Sequence, residues 1–133
     1  MRASLRSLTA GIVVAASLAL ATPAHADTVL THELWSCDVP YSGDLECAAP
    51  VTVPPGGYIW IGIGNGGPTI FTVYSGTGAD RQQIGWGEMK GGEGRFYTNY
   101  TDQPVLASVT MHEDAPTDRC GTQHEQGFLD VRS

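Results

Sequence analysis

The sequence predicts an all-β domain, a small antiparallel β-sandwich that follows a cleaved N-terminal segment. Glycine and proline interrupt the chain every eight to twelve residues, and the runs between them are rich in Val, Ile, Thr, Tyr, Phe and Trp. No segment after residue 26 shows a helical repeat of apolar residues. These observations predict eight strands: Val29–Val39, Leu45–Val53, Tyr58–Ile63, Thr69–Ser75, Gln82–Trp86, Gly94–Tyr100, Pro104–His112 and Phe128–Arg132.

The first 26 residues have the pattern of a secretory signal peptide. Arg2 and Arg6 precede an apolar run from Leu8 to Ala21, and Ala24-His25-Ala26 is a small-x-small cleavage motif. The apolar run is shorter than the ~20 residues that a membrane-spanning helix needs. We therefore predict cleavage after Ala26 and a secreted, extracellular protein without a membrane anchor.

Residues 27–133 are predicted to form one secreted domain with an acidic surface. This part has five Lys and Arg against fourteen Asp and Glu, a net charge of −9 with His neutral. Such a surface repels phosphate groups, so nucleic acids and anionic membranes are poor partners. We expect a monomer whose partner is a carbohydrate or an extracellular protein.

Gly62, Gly64 and Gly67 form a G-x-G-x-x-G motif that can indicate a dinucleotide-binding loop. That loop requires a helix after the glycines, because the pyrophosphate binds at the helix N-terminus. Here Pro68 is followed by "TIFTVY", whose β-branched and aromatic residues favour a strand. The motif therefore does not predict nucleotide binding, and no cofactor is expected.

The same glycines predict a hairpin. Asn65-Gly66 is the preferred pair for a two-residue type I′ turn, since both positions require positive φ. Pairing about this turn places Ile61 opposite Ile70 and Trp60 opposite Phe71. One face of the hairpin then carries isoleucines and the other carries aromatic rings.

Tyr58, Trp60 and Phe71 are the predicted ligand-binding residues on the aromatic face of this hairpin. Flat rings stack on sugars or on apolar groups of another protein and lose little entropy on binding. The alternative is a structural role, in which loops cover the aromatic face or this face forms the core.

Cys37 and Cys47 are predicted to form a disulfide, since each is five residues from Ser42 in a segment with turn-forming residues. A reversal at Ser42 would place them opposite each other on paired strands. Pairing of either cysteine with Cys120 remains an alternative. A rigid loop over residues 38–46 could also present a segment to an extracellular protease, as inhibitors do.

The segment "PVLASVTMH" alternates clearly, with Val105, Ala107, Val109 and Met111 on one face. We expect that face to be buried and the other to be mostly exposed to solvent. The polar residues from Glu113 to Gly127 predict a long surface loop.

No catalytic or metal-binding motif stands out, so we expect no enzyme activity and no bound metal. G-x-S-x-G, H-E-x-x-H and S-x-x-K are absent after residue 26. His112 could act as a base, and Glu88 and Glu93 could form a carboxylate pair of the kind used in glycoside hydrolysis. Cys120 and His124 have zinc-ligand spacing, but oxidation competes for the cysteine outside the cell.

From Val51 onward, three segments resemble bacterial pre-peptidase C-terminal-type domains and similar jelly rolls: "VTVPPGGYIWI", "TIFTVYSG" and "GEGRFYTNYTDQPVLASVTM". The resemblance covers about half of the chain and implies a secreted accessory module with a jelly-roll-like β-sandwich. The acidic residues that mark the second segment in that family are absent from "PTIFTVY", so no calcium site or functional residue is carried over.

Three functions remain, in this order. The first is a non-catalytic binding module of the bacterial exterior whose ligand is a polysaccharide or a protein surface. The second is an inhibitor of an extracellular hydrolase that acts through the Cys37–Cys47 loop. The third is a small hydrolase that uses His112 or the Glu88/Glu93 pair.

Overall fold

The computed structural model describes residues 27–114 and 120–133, so the predicted signal peptide lies outside the described residues. These two ranges contain no helix, which confirms the all-β prediction, and hence no segment that could cross a bilayer as a helix. The strands are β1 (Val29–Pro40), β2 (Leu45–Glu46), β3 (Val51–Val53), β4 (Tyr58–Asn65), β5 (Thr69–Ser75), β6 (Gln82–Met89), β7 (Gly92–Thr98), β8 (Val105–Glu113) and β9 (Thr122–Arg132).

The strands form two antiparallel sheets with a shared core, which confirms the predicted β-sandwich. Sheet A has the strand order β1-β9-β4-β7. Sheet B has the order β2-β8-β5-β6, and β3 also pairs with β8. Side chains alternate along each strand, so one face of each sheet points to the core and we call the other its outer face.

Phe71 of β5 lies at the centre of the core. Its ring centroid is 6.2 Å from that of Trp35 on β1 and 5.2 Å from that of Phe96 on β7, both in edge-on geometry. Full burial of such a side chain stabilises the fold by roughly 1.5–3 kcal/mol. Other fully buried core side chains come from both sheets: Val39, Val53, Ile59, Ile61, Val73, Met111, Leu129 and Val131.

The predicted hairpin at Asn65-Gly66 is wrong, because β4 and β5 belong to different sheets. The chain crosses from sheet A to sheet B between residues 65 and 69, through Gly66 (φ 99°), Gly67 (φ 89°) and a cis peptide before Pro68. β4 and β5 each have an apolar inner face. Because the two strands lie in opposite sheets, these faces pack against each other in the core. This gain outweighs the local turn preference of Asn-Gly. A strand does follow Pro68, as predicted.

The disulfide prediction is confirmed for the pairing and wrong for its geometry. Cys37 and Cys47 are bonded, with their Cα atoms 6.0 Å apart, and Cys120 is free and exposed. The two bonded cysteines do not lie on paired strands, because Cys37 is in β1 of sheet A and Cys47 follows β2 of sheet B. The bond therefore links the two sheets.

Two predicted boundaries are corrected. The predicted strand Leu45–Val53 is split into β2 and β3 by a segment that includes Pro50, which has no N–H for a ladder hydrogen bond. The predicted surface loop Glu113–Gly127 is wrong at both ends, because Glu113 ends β8 and β9 begins at Thr122. The structure does not describe residues 115–119 of this segment.

The predicted alternation in β8 is confirmed for its inner face, where Ala107, Val109 and Met111 are buried in the core. Its outer face is less exposed than predicted, because Ser108 and Thr110 are also buried. The Ser108 hydroxyl donates to a backbone carbonyl of the β5–β6 connection at 3.0 Å. This bond satisfies a polar group that would otherwise be costly to bury.

Candidate functional site on the outer face of sheet A

The structure does not bring the three predicted ligand-binding residues together. Tyr58 and Trp60 lie on the outer face of β4, with ring centroids 6.4 Å apart. Phe71 is fully buried between the sheets and cannot contact a ligand on that face. The separation follows directly from the crossing at residues 66–68, which replaces the predicted hairpin.

The rings of Tyr58 and Trp60 are already covered by arginines. The Arg95 guanidinium lies 3.7 Å from the Tyr58 ring centroid, and that of Arg132 lies 4.8 Å from the Trp60 centroid. Tyr58 has only 4% of its surface exposed. These cation–π contacts occupy the ring faces on which a sugar would stack.

Asp130 holds this cluster in place from β9. Its Oδ2 accepts hydrogen bonds from Arg132 Nη2 at 2.6 Å and Nε at 3.0 Å, and its Oδ1 lies 2.6 Å from His32 Nδ1. The hydrogen bond to Asp130 raises the pKa of Arg132, and a hydrogen bond to Asp27 raises the pKa of Tyr58. His32, Asp130 and Arg132 are thus paired with one another, and their role is structural support.

A groove with a volume of about 750 Å³ lies beside this cluster on the outer face of sheet A. We call it the glycine groove, because Gly64, Gly92 and Gly127 are among the residues that line it. The volume is within the range of small-molecule sites. The remaining lining residues are Leu34, Trp35, Ser36, Ile63, Glu93, Gln126 and Phe128.

The wall of the groove is apolar and preformed. The Phe128 ring lies across Gly62, where a Cβ atom would come within 2.1 Å of the ring, and it stacks on His32 with centroids 5.7 Å apart. Leu34 is 77% exposed. The buried indole N–H of Trp35 has no hydrogen-bond partner among the described residues. The groove therefore offers an apolar surface to a ligand.

One end of the groove is polar. Ser36 and Asp38 lie two residues apart on β1, so their side chains share a face. Ser36 is the register partner of Gln126 on β9, and Asp38 is the register partner of His124. His124 Nε2 is 3.2 Å from Ser36 Oγ, and His124 Nδ1 is 2.9 Å from Asp38 Oδ1. If Nδ1 carries the proton and donates to Asp38, Nε2 is free to accept from the Ser36 hydroxyl. Ser36 and Gln126 also line the glycine groove.

A second polar cluster lies on the inner face of β9, where Glu125 meets Glu113 of β8. Glu125 and Glu113 are almost completely buried, at 0% and 2% exposure. Glu125 Oε1 accepts from Thr69 Oγ1 at 2.7 Å and from the Gly67 N–H at 2.9 Å. Glu125 thereby ties β9 to the crossing segment and to the first residue of β5.

This buried pair shares a proton. Burial, together with the neighbouring Glu125 carboxylate, raises the pKa of Glu113 to about 8. At neutral pH Glu113 therefore keeps its proton, and a hydrogen bond to Glu125 replaces the repulsion between two carboxylates.

The other candidates from the sequence are dispersed. Glu88 lies on the outer face of sheet B opposite Ile70, whereas Glu93 lies on the outer face of sheet A opposite Gly62, so the two do not form a pair. His112 Nδ1 is 2.9 Å from an Asp44 carboxylate oxygen on the outer side of sheet B. Across residues 27–114 and 120–133, no three His, Cys, Asp or Glu side chains are grouped as metal ligands.

The segment 38–46 is only partly presented. Val39 is fully buried and Pro40 still belongs to β1, opposite Thr122 of β9. The Tyr41 N–H donates to the Gly121 carbonyl at 3.1 Å, which continues this attachment. An inhibitory loop would have to act through the few residues after Tyr41.

No protein-family model, curated protein or solved structure matches the chain. The resemblance of the second half to pre-peptidase C-terminal-type domains therefore stays a prediction. The site is described by its own geometry, and the residues that sequence reasoning missed are Ser36, Asp38, Gln126 and Leu34. Alternation on β1 shows that Ser36 and Asp38 share a face, but only the pairing of β1 with β9 shows that His124 joins them.

Proposed function

We propose that the protein is a secreted, extracellular binding module whose ligand places an apolar chain in the glycine groove. The observation that carries this proposal is the groove itself, a preformed apolar concavity of about 750 Å³ on the outer face of sheet A. The disulfide between Cys37 and Cys47 supports an extracellular location, because such bonds persist in oxidising compartments.

The contacts favour an alkyl or acyl chain over a stacked sugar ring. Leu34 and Phe128 provide aliphatic and aromatic surface in the groove, and its burial by a ligand is favourable by about 25 cal/mol per Å². The faces of Tyr58 and Trp60, by contrast, are occupied by Arg95 and Arg132. A polysaccharide or protein ligand would therefore be recognised through an apolar substituent or side chain.

Two glucosides test this choice. Octyl β-D-glucoside, below its micelle concentration, carries a sugar and an apolar chain, whereas methyl β-D-glucoside carries only the sugar. We expect the octyl compound alone to shift the amide NMR signals of Gly64, Gly92 and Gly127. Equal shifts with the methyl compound would contradict the apolar mode, and no shift with either would refute the groove as a binding site.

Leu34 and Leu106 form a matched pair for mutagenesis, because both are exposed leucines and they lie on the outer faces of opposite sheets. We expect Leu34→Ala to weaken octyl glucoside binding by about fivefold or more, since buried methylene contacts are lost. Leu106→Ala should leave the affinity unchanged. Gly64→Val should abolish binding, because a Cβ there meets no atom closer than 3.6 Å and would fill the groove without a clash.

A further inference from the structure

We propose that Ser36, His124 and Asp38 form a nucleophilic triad, and that the protein hydrolyses esters whose acyl chain lies in the glycine groove. The inference rests on the proposed function, since the same groove holds the acyl chain. The required connection is present in the right order: serine hydroxyl, imidazole Nε2, imidazole Nδ1 and carboxylate, with gaps of 3.2 Å and 2.9 Å.

The strand pairing explains why these side chains meet. Asp38 is the register partner of His124, so the two stand side by side on the outer face of sheet A. Ser36 is two residues before Asp38 on β1 and so projects from the same face. The imidazole therefore lies between a carboxylate and a hydroxyl that a rigid sheet positions, which is the arrangement that activates a serine.

Gln126 completes the site as the donor to the oxyanion. It is the register partner of Ser36, and both residues line the glycine groove. Its side-chain amide can donate a hydrogen bond to the charge that develops on the substrate carbonyl oxygen. Its backbone N–H donates to Asn65 Oδ1 at 3.1 Å, which fixes this part of β9 against the end of β4.

The reaction needs only the ester and water. Ser36 Oγ bonds to the acyl carbon as its proton passes to His124 Nε2, and the carbonyl electrons move to the oxygen. When the tetrahedral intermediate collapses, the bond to the alcohol oxygen breaks, and the alcohol leaves with the proton from His124. Water then attacks the acyl-serine, His124 takes its proton, and collapse releases the acid and returns the proton to Ser36.

His112 and Asp44 provide an internal control. Their Nδ1–Oδ1 distance is also 2.9 Å, but among the hydrogen bonds of the described residues none joins His112 to a serine hydroxyl. Any imidazole can accelerate hydrolysis of an activated ester slightly, and His112 would do so as well as His124. Only the triad predicts that one histidine and Ser36 are required together.

The first experiment measures hydrolysis of p-nitrophenyl octanoate and labelling by a fluorophosphonate probe, followed by mass spectrometry. We expect one probe molecule on Ser36 and a loss of kcat/KM of about 100-fold or more in Ser36→Ala and in His124→Gln. Gln126→Leu should lose about tenfold or more. His112→Gln should change kcat/KM by less than about twofold. Circular dichroism of each variant checks that the substitutions leave the fold intact.

Several results would overturn the triad. Retained turnover in Ser36→Ala, an equal loss in His112→Gln, or probe attached elsewhere would each exclude Ser36 as the nucleophile. Octyl glucoside binding separates this failure from that of the groove, because a Ser36→Ala variant that still shows the NMR shifts leaves the binding proposal standing. Equal turnover of p-nitrophenyl acetate and octanoate would contradict the placement of the acyl chain in the groove.

Discussion

The two faces of β9 place similar polar groups in opposite environments. His124 and Gln126 point outward, and the His124 side chain is 60% exposed, whereas Glu125 between them is fully buried. The Glu125 carboxylate accepts hydrogen bonds from Thr69, Gly67 and a protonated Glu113. These bonds are all within the fold, so the carboxylate is not available to a ligand. The outward groups stay accessible to solutes. The buried inner cluster therefore contributes to stability, whereas the exposed outer cluster is available for function.

The largest loss of stability is expected from substitution of Gly127 on β9. A Cβ there would be within 2.0 Å of the Gly62 carbonyl oxygen and 2.7 Å of the Trp35 ring. Gly127→Ala must therefore separate β9 from β4, and we expect a loss of at least about 4 kcal/mol in the free energy of unfolding. Urea denaturation measures it.

Gly64→Ala is the control for that prediction, because its Cβ would make only ordinary contacts with Gln126 at 3.6 Å and 4.0 Å. We expect a change within about 0.5 kcal/mol. A Gly127→Ala variant as stable as Gly64→Ala would show that β9 and β4 are not closely packed at Gly127. That result would contradict the difference in packing between the two faces of β9.

Removal of the disulfide should cause the next largest loss of stability. The bond lies at the same end of the core as the buried carboxyl groups. Cys37 is the register partner of Glu125 on β1. Replacement of Cys37 and Cys47 by serine should lower the free energy of unfolding by about 3 kcal/mol, since the unfolded chain regains the freedom of a short loop. Thermal and urea unfolding measure the loss. Cys120→Ser, at the exposed free cysteine, should change it little.

Glu113→Gln should remove a pH dependence of stability. Folding raises the pKa of Glu113 from 4.5 to about 8, so the folded state keeps a proton that the unfolded state releases. The contribution of Glu113 to the free energy of unfolding should therefore be fully present below about pH 4.5 and should fall as the pH rises towards 8. The glutamine variant keeps a donor for Glu125 and carries no charge. We expect it to be more stable than the natural chain at pH 9 by at least about 2 kcal/mol, because each tenfold change in proton affinity corresponds to about 1.4 kcal/mol, and similar to it at pH 4.

Glu88→Gln is the matched control, because Glu88 is an exposed glutamate on the outer face of sheet B. Urea denaturation of both variants between pH 4 and pH 9 separates the roles of the two residues. If Glu113→Gln retained the pH dependence of the natural chain, the shared proton would be located in another part of the molecule.

The smallest effect on stability should come from the outer face. The Asp38 side chain is 67% exposed, and exposed ion pairs contribute only about 0–1 kcal/mol. Asp38→Asn should change the free energy of unfolding by less than about 0.5 kcal/mol, measured by urea denaturation, while it lowers ester hydrolysis through the misoriented His124. A large loss of stability together with unchanged hydrolysis would reverse the roles assigned to the two faces of β9.

The sequence predicts much of the fold because strands depend on local patterns. The predicted bounds of Thr69–Ser75 match β5, and alternation alone predicts the inner face of β8 correctly. The crossing at residues 66–68 could not be predicted, because Asn65-Gly66 suits a hairpin locally and only the partners of β4 and β5 show otherwise. The prediction Phe128–Arg132 covers the end of β9 but misses its start, because the outward polar residues and the buried Glu125 hide the apolar positions that mark a strand.

Most strands, the turn-forming glycines, the cysteines and the acidic composition follow from the sequence alone, since each depends on residue type or on near neighbours. The tertiary structure alone decided which strands are partners. That pairing joins Ser36 and Asp38 to His124 across 86 or more residues of chain, and it buries Glu113 against Glu125. The physical reason is that the sheets are chosen by the burial of all apolar faces together, which is a property of the whole chain and of no segment within it.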